Sequence, residues 1–221
     1  MEHVVEYLPH SATIHQVRKN SLLLYPGEVP NQAYIVRSGS FRAYRIDNAG
    51  VEQIAGFKLT GDIFPECWVF GKTTRTMYYY EALEDSEVVT IEREVLLDLL
   101  EKRPEMWKLL FDRMVEHYTV LMLQVTALEQ THAVDKLLMT LNYLLFRFGE
   151  ERSKGRYVLK LNVTHSLLAG MTGLSRETVS KELGRLRRRR VVRYGLREFS
   201  INKKALENRL DDESFSDIKL Q

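Results

Sequence analysis

Residues 164–183 read THSLLAGMTGLSRETVSKEL, two apolar-patterned stretches divided by a glycine. Thr164 is placed to cap a helix running to about Met171, and Gly173 supplies the turn. Ser175 then caps a second helix with Thr178 at its third position, because a hydroxyl oxygen there accepts a bond from an otherwise orphaned backbone N–H. Helix, glycine-containing turn and helix form the helix-turn-helix arrangement, whose second helix lies in the major groove of DNA with its first residues against base edges. On that helix Arg176, Glu177, Ser180 and Lys181 share one exposed face, while Val179 and Leu183 point toward the core. Arginine can bond guanine through O6 and N7, and glutamate can accept from the cytosine amino group. Thr164, Ser175 and Thr178 are positioned for phosphate contacts, which set register without reading sequence.

The flanks extend this pattern. Downstream, Arg187-Arg188-Arg189-Arg190 with Arg193 and Arg197 suits phosphate rather than bases, and Val191–Ile201, with Gly195 between strand-like runs, predicts a β-hairpin wing. Upstream, Val134–Phe148 reads as a helix, Gly149 and Gly155 mark a loop, and Tyr157–Asn162 reads as a short strand. The overall charge of +2 hides an asymmetry: residues 1–150 carry −6, residues 151–210 carry +11 and residues 211–221 carry −3. A basic block of this kind joined to a mildly acidic body is the electrostatic footprint of a nucleic-acid-binding module.

Before the block lies a long helix. Pro104 suits its first turn. From there Trp107, Phe111, Met114, Tyr118, Leu121, Val125 and Leu128 recur at alternating spacings of 4 and 3, a heptad seam sustained for three heptads. Phe111, Met114, Tyr118, Leu121, Val125 and Leu128 are therefore the expected interface of a parallel homodimer. From about Asn20 to Ile91 the chain is rich in strand formers, and half of its twelve glycines fall between positions 27 and 71. Runs such as Ala33–Arg37, Phe41–Ile46 and Glu52–Leu59 are separated by turn residues, which predicts an all-β sandwich or barrel, although alternation within each run is imperfect.

Composition removes other classes. The chain has 221 residues, 44% hydrophobic and 28% charged, as in ordinary globular proteins. No apolar stretch approaches the ~20 residues that span a bilayer, and the N-terminus lacks a signal-peptide pattern, so a cytoplasmic protein without membrane contact is expected. A single cysteine, Cys67, excludes an iron–sulfur cluster held by four cysteines of one chain. The histidines are scattered, with none between Asn20 and Ile91, so no metal site is expected. Neither a nucleophile elbow nor a phosphate-binding glycine loop nor a paired-carboxylate motif is present, which argues against an enzyme.

Ser175-Arg176-Glu177-Thr178-Val179, following Thr164 and the Gly173 turn, closely resembles the recognition helix of the cAMP receptor protein/FNR (CRP/FNR) family. The upstream order is similar too: a glycine-punctuated β region, Gly61-Asp62-Ile63-Phe64-Pro65-Glu66, an Arg75-Thr76 pair, a long helix and a basic winged helix. The resemblance covers roughly residues 20–210. It implies an α+β chain with an N-terminal β-roll, a cyclic-nucleotide-binding-like jelly roll, over residues 1–103. A dimerisation helix and hinge would follow over 104–133, and a winged helix-turn-helix domain over 134–221.

By the same resemblance the chain is an allosteric transcription regulator whose partners are double-stranded DNA, a second copy of itself, RNA polymerase and a small-molecule effector. Arg176 and Glu177 would read bases in a palindromic operator with TGTGA-like half-sites. Lys181 stands where the family usually has arginine and lacks its planar fork. Gly61, Glu66, Arg75, Thr76, Leu121 and Met122 would surround the effector. Pro65 replaces the family's glycine, and Leu121-Met122 replaces the Thr-Ser pair that meets adenine, so cAMP is disfavoured and a small anionic or aromatic ligand is favoured beside Arg75. A cAMP-responsive regulator, a cyclic dinucleotide, haem through Cys67, the absence of any ligand, and a sequence-indifferent basic nucleic-acid binder remain open. Tyr78, Tyr79 and Tyr80 can line the pocket or simply pack a strand.

Overall fold

A computed structural model describes residues 7–9, 11–195 and 198–210. His3, His10 and the wing residue Arg197 lie outside the described residues. The chain divides into two compact units, the first ending at His117 and the second beginning at Tyr118.

The first unit starts with strands β1 (Thr13–Val17), β2 (Leu22–Leu24), β3 (Ala33–Ser38), β4 (Ser40–Ile46), β5 (Glu52–Leu59) and β6 (Ile63–Phe64). A short helix α1 (Glu66–Val69), strands β7 (Tyr79–Ala82) and β8 (Ser86–Ile91), and helix α2 (Arg93–Lys102) follow. Two antiparallel four-stranded sheets result, one ordered β1-β8-β3-β6 and the other β2-β7-β4-β5. Between them lies one core, with Val36, Phe41, Phe64, Tyr80 and Val88. A second core, with Ile35, Ile63, Val89, Leu96, Leu100, Met106 and Leu110, joins the first sheet to the helices. Strands β3 and β8 thus contribute to both cores: Ile35 and Val89 face the helices, Val36 and Val88 the other sheet. Burial on both faces removes the apolar–polar alternation that marks a half-buried strand. Edge strand β1, largely exposed, lies before the predicted β region, and its apolar residues Ile14 and Val17 do not alternate.

Helix α3 runs from Pro104 to Glu129 and begins in the first unit. There Arg113 Nη2 donates to Thr60 O at 3.3 Å, and His117 Nε2 lies 3.1 Å from Oδ2 of the buried Asp62. The second unit continues with α4 (Ala133–Phe148), β9 (Gly149–Ser153), β10 (Arg156–Leu159), α5 (His165–Thr172) and α6 (Arg176–Arg188). It closes with β11 (Val192–Tyr194), β12 (Phe199–Asn202) and α7 (Lys203–Leu210). The sheet order is β11-β12-β10-β9, all antiparallel.

The predicted wing is therefore β11–β12. The segment from Gly149 to Gly155, expected as a loop, instead forms β9 and a turn into β10. Its residues Glu150, Glu151, Arg152 and Ser153 are exposed on an edge strand, held by backbone pairing and showing no apolar period. The strand expected over Tyr157–Asn162 covers Arg156–Leu159. Leu141 and Leu144 of α4, Leu168 of α5, Val179 and Leu183 of α6 and Ile201 of β12 are fully buried. Among the described residues no helix is long and apolar enough to cross a membrane, and no His/Cys/Asp/Glu group could hold a metal ion.

Candidate nucleic-acid interface and effector region

The turn between α5 and α6 is built from local hydrogen bonds. Thr164 caps α5 by accepting from the Leu167 N–H at 3.0 Å. Gly173 ends that helix in the left-handed region, φ +67°, where a side chain is disfavoured. Thr172, fully buried, donates to Leu168 O at 2.7 Å and accepts from the Leu174 N–H at 3.3 Å, bracing the turn from inside. Ser175 caps α6 by accepting from the Thr178 N–H at 3.2 Å, and its hydroxyl lies 3.1 Å from that of Thr178. The three hydroxyls assigned to phosphate are thus local helix-start groups, and Thr164 keeps a proton to donate outward.

Val179, Leu183 and Leu186 seat α6 on the core, which turns Arg176, Glu177, Ser180 and Lys181 outward. These four line one open concavity with His165, which the sequence did not single out. The Glu177 carboxyl is held below the usual carboxylate range by its own backbone N–H, by the Ser175 hydroxyl and by neighbouring Arg176. It is an ionised acceptor at neutral pH, as a partner for a base amino group must be. Glu182 is the unexpected member of the helix: a buried carboxylate in mid-core, paired with Arg185 at 2.7 Å.

Arg187, Arg188, Arg189 and Arg190 are all exposed. Arg187 covers the Tyr194 ring at 5.2 Å, and Arg190 adopts φ +60° where the chain leaves α6 for β11. Tyr194 stacks on Phe199 with centroids 5.7 Å apart. Arg193 is exposed on β11.

In the first unit the residues assigned to the effector separate into two groups. Arg75 and Thr76 line an open concavity with Gly27, Lys72, Thr73 and Thr74. Arg75 Nη1 donates to Gly27 O at 2.7 Å, and the Thr76 hydroxyl donates to Tyr25 O, so the pair is tied to the Tyr25–Glu28 turn. Gly61 and Glu66 are absent from that lining. Gly61 turns β5 into β6 at φ +89°, with its N–H bonded to Val36 O at 2.8 Å. Glu66, the first residue of α1, is paired with the ammonium of Lys58, a buried lysine on β5 that the sequence reading passed over.

Tyr80 points into the inter-sheet core and stacks on Phe64 at 4.9 Å, and burial, with Glu66 next, pushes its hydroxyl well above the ordinary tyrosine range. Tyr79 stacks on Tyr44 at 5.1 Å, and Tyr78 packs at the rim of the same core. These are ordinary strand-packing roles. Cys67 is exposed. Leu121 and Met122 lie on α3 in the second unit, 51% and 46% exposed. Other residues of the heptad seam, Phe111, Met114, Tyr118, Val125 and Leu128, range from 38% to 65% exposed.

Comparison with known proteins covers both units. Residues 14–103 match the profile of the cyclic nucleotide-binding domain, and residues 136–209 match that of the Crp-like helix-turn-helix domain. The chain is 27% identical over 188 residues to the anaerobic regulatory protein of Haemophilus influenzae, covering 84% of this chain and 71% of that one. It is 28% identical over 176 residues to the fumarate and nitrate reduction regulatory protein of Vibrio cholerae, covering 80% and 69%. A solved CRP/FNR-family transcriptional regulator from Thermus thermophilus shares the fold with a TM-score of 0.71 at 24% identity, over 90% of this chain and 99% of that one.

Proposed function

The chain belongs to the CRP/FNR family of DNA-binding transcription regulators, not to a family of enzymes, and on that footing we propose that it acts as a homodimer on a palindromic operator with TGTGA-like half-sites, under control of a small anionic effector bound in the β-roll. The observation that carries the reading is the concavity where Arg176, Glu177, Ser180 and Lys181 of one helix face solvent together. Two cations, a hydroxyl and an ionised carboxylate side by side suit base edges. A surface that only neutralised phosphate would have no use for Glu177.

The exposed seam on α3 supports self-association. Six large apolar side chains at heptad spacing on α3 are exposed, and burying them against a second copy is what such a repeat favours. A two-fold dimer sets its recognition helices one DNA turn apart, about 34–36 Å, hence the palindrome. Lys72 and Arg75 on one concavity favour an anionic effector. The Lys58–Glu66 pair weighs against cAMP, because a Glu66 carboxylate already bonded to an ammonium is a poorer partner for a sugar hydroxyl.

A fluorescence-anisotropy titration at one fixed salt concentration tests this. A duplex with two TGTGA-type half-sites should bind more tightly than a random duplex of equal length, and cAMP should leave both affinities unchanged. Equal affinity for the two duplexes indicates a sequence-indifferent binder, and a gain on adding cAMP indicates a cAMP-responsive regulator.

A further inference from the structure

His165 shares the concavity of Arg176, Glu177, Ser180 and Lys181, although it belongs to the other helix of the motif. It is the first residue of α5 and half-buried. Its ring stands edge-on to Tyr194, with centroids 5.7 Å apart and planes at 80°. Tyr194 is itself fixed by stacking on Phe199 and by Arg187 over its face. The imidazole is therefore oriented by aromatic packing from the wing, while neither ring nitrogen has a hydrogen-bond or ion-pair partner among the described residues. A polar ring held against an aromatic neighbour, with neither nitrogen partnered and inside a surface shaped for DNA, is arranged to meet a ligand oxygen.

We infer that His165 is a DNA-phosphate contact that makes DNA binding by this chain pH-dependent, a conclusion resting on the assignment of the α6 face as the DNA-contacting surface. The charged groups facing it are Arg176, Glu177 and Lys181 on α6, with Arg187 beyond Tyr194 on the wing side. Helix α5 contributes no other charged residue. Arginine and lysine titrate well above pH 8 and carboxylates well below pH 5.5, so histidine is the residue type here that changes charge between those limits. A phosphate beside an imidazole favours its protonated form. DNA binding then takes up a proton, and affinity rises as pH falls. Each unit by which the phosphate raises the imidazole pKa gives up to a tenfold gain in affinity per protomer below the transition. A protonated ring on phosphate also displaces one more counterion per protomer, which steepens the plot of log affinity against log salt by about 0.9 per protomer.

The experiment is an anisotropy titration of the full chain on both the palindromic and the random duplex, at pH 8.0 and pH 5.5 and several salt concentrations. Wild type is expected to bind both duplexes more tightly at pH 5.5, by about tenfold per protomer, with the steeper salt slope. His165→Gln should bind equally at pH 8.0 and pH 5.5, losing both responses. His165→Arg, permanently charged, should bind at pH 8.0 as wild type does at pH 5.5.

Three results overturn the inference: no pH response in wild type; a response that survives in His165→Gln, which moves its source to another group such as His117 facing Asp62; or a pH response with an unchanged salt slope, which means the proton acts without a phosphate. Because a phosphate contact is blind to sequence, the pH effect should be equal on the two duplexes. Loss of sequence preference alone would defeat the operator reading and leave this one standing.

Discussion

At the scale of single residues, two carboxylates on α6 do opposite things one turn apart. Glu182 faces the core and ties Arg185, so its role is to position the helix. Glu177 faces out, ionised, among Arg176, Ser180 and Lys181. Its depressed pKa means that the bonds from its own N–H and from Ser175 strengthen the start of α6 above the ordinary carboxylate pKa and are lost as the pH falls through the lowered one. Between pH 5.5 and 8 it is a constant acceptor. Glu177→Ala should therefore relax discrimination at one base pair of the half-site by about 1–3 kcal/mol, with little change in affinity for random DNA. Ranking single-base operator variants by anisotropy measures this; an unchanged ranking would remove Glu177 from base readout. The Lys58–Glu66 pair works in the other direction, engaging within the fold a carboxylate that the family resemblance assigns to a ligand.

At the scale of elements, what was legible depended on whether the signal was local. The caps Thr164 and Ser175, the Gly173 turn and the outward face of α6 follow from side chains bonding backbone within a few residues, and they could be read directly. Strands β3 and β8 were blurred because Ile35 and Val36, or Val88 and Val89, are buried on opposite faces in consecutive positions. Strands β1 and β9 were missed because exposed edge strands carry no apolar period. Lys58 and His165 depend on contacts between elements, and periodicity says nothing about those.

Helix α3 carried the strongest long-range pattern, a seam whose exposure in a single chain makes it a candidate dimer face. A charge placed mid-seam tests that face. Tyr118→Lys should raise the dimer dissociation constant at least tenfold, about 1.4 kcal/mol, while leaving the secondary structure unchanged. Sedimentation velocity over a concentration series reads the dissociation, and a variant that remains fully dimeric at wild-type concentrations would exclude this face.

At the scale of the whole molecule, the governing quantity is the separation of charge along the chain. Residues 151–210 carry +11 and residues 1–150 carry −6, so a polyanion is attracted to one end of the sequence and repelled by the other. Such a field speeds encounter and orients the protein before any base is read, and it weakens as salt shortens the Debye length. Orientation and reading then belong to different side chains, which can be separated by experiment. Arg193 is exposed on β11, outside the concavity formed by His165 and the start of α6. If it only neutralises phosphate, Arg193→Gln removes one counterion-releasing contact per protomer. The slope of log affinity against log salt should then fall by about 0.9 per protomer on palindromic and random duplexes alike, with the order of operator variants preserved. Glu177→Ala should do the reverse, leaving the slope and changing the order. An Arg193→Gln protein that reorders the variants would show the wing reading sequence; one that leaves the slope untouched would show that the +11 block attracts DNA as a field without Arg193 touching it.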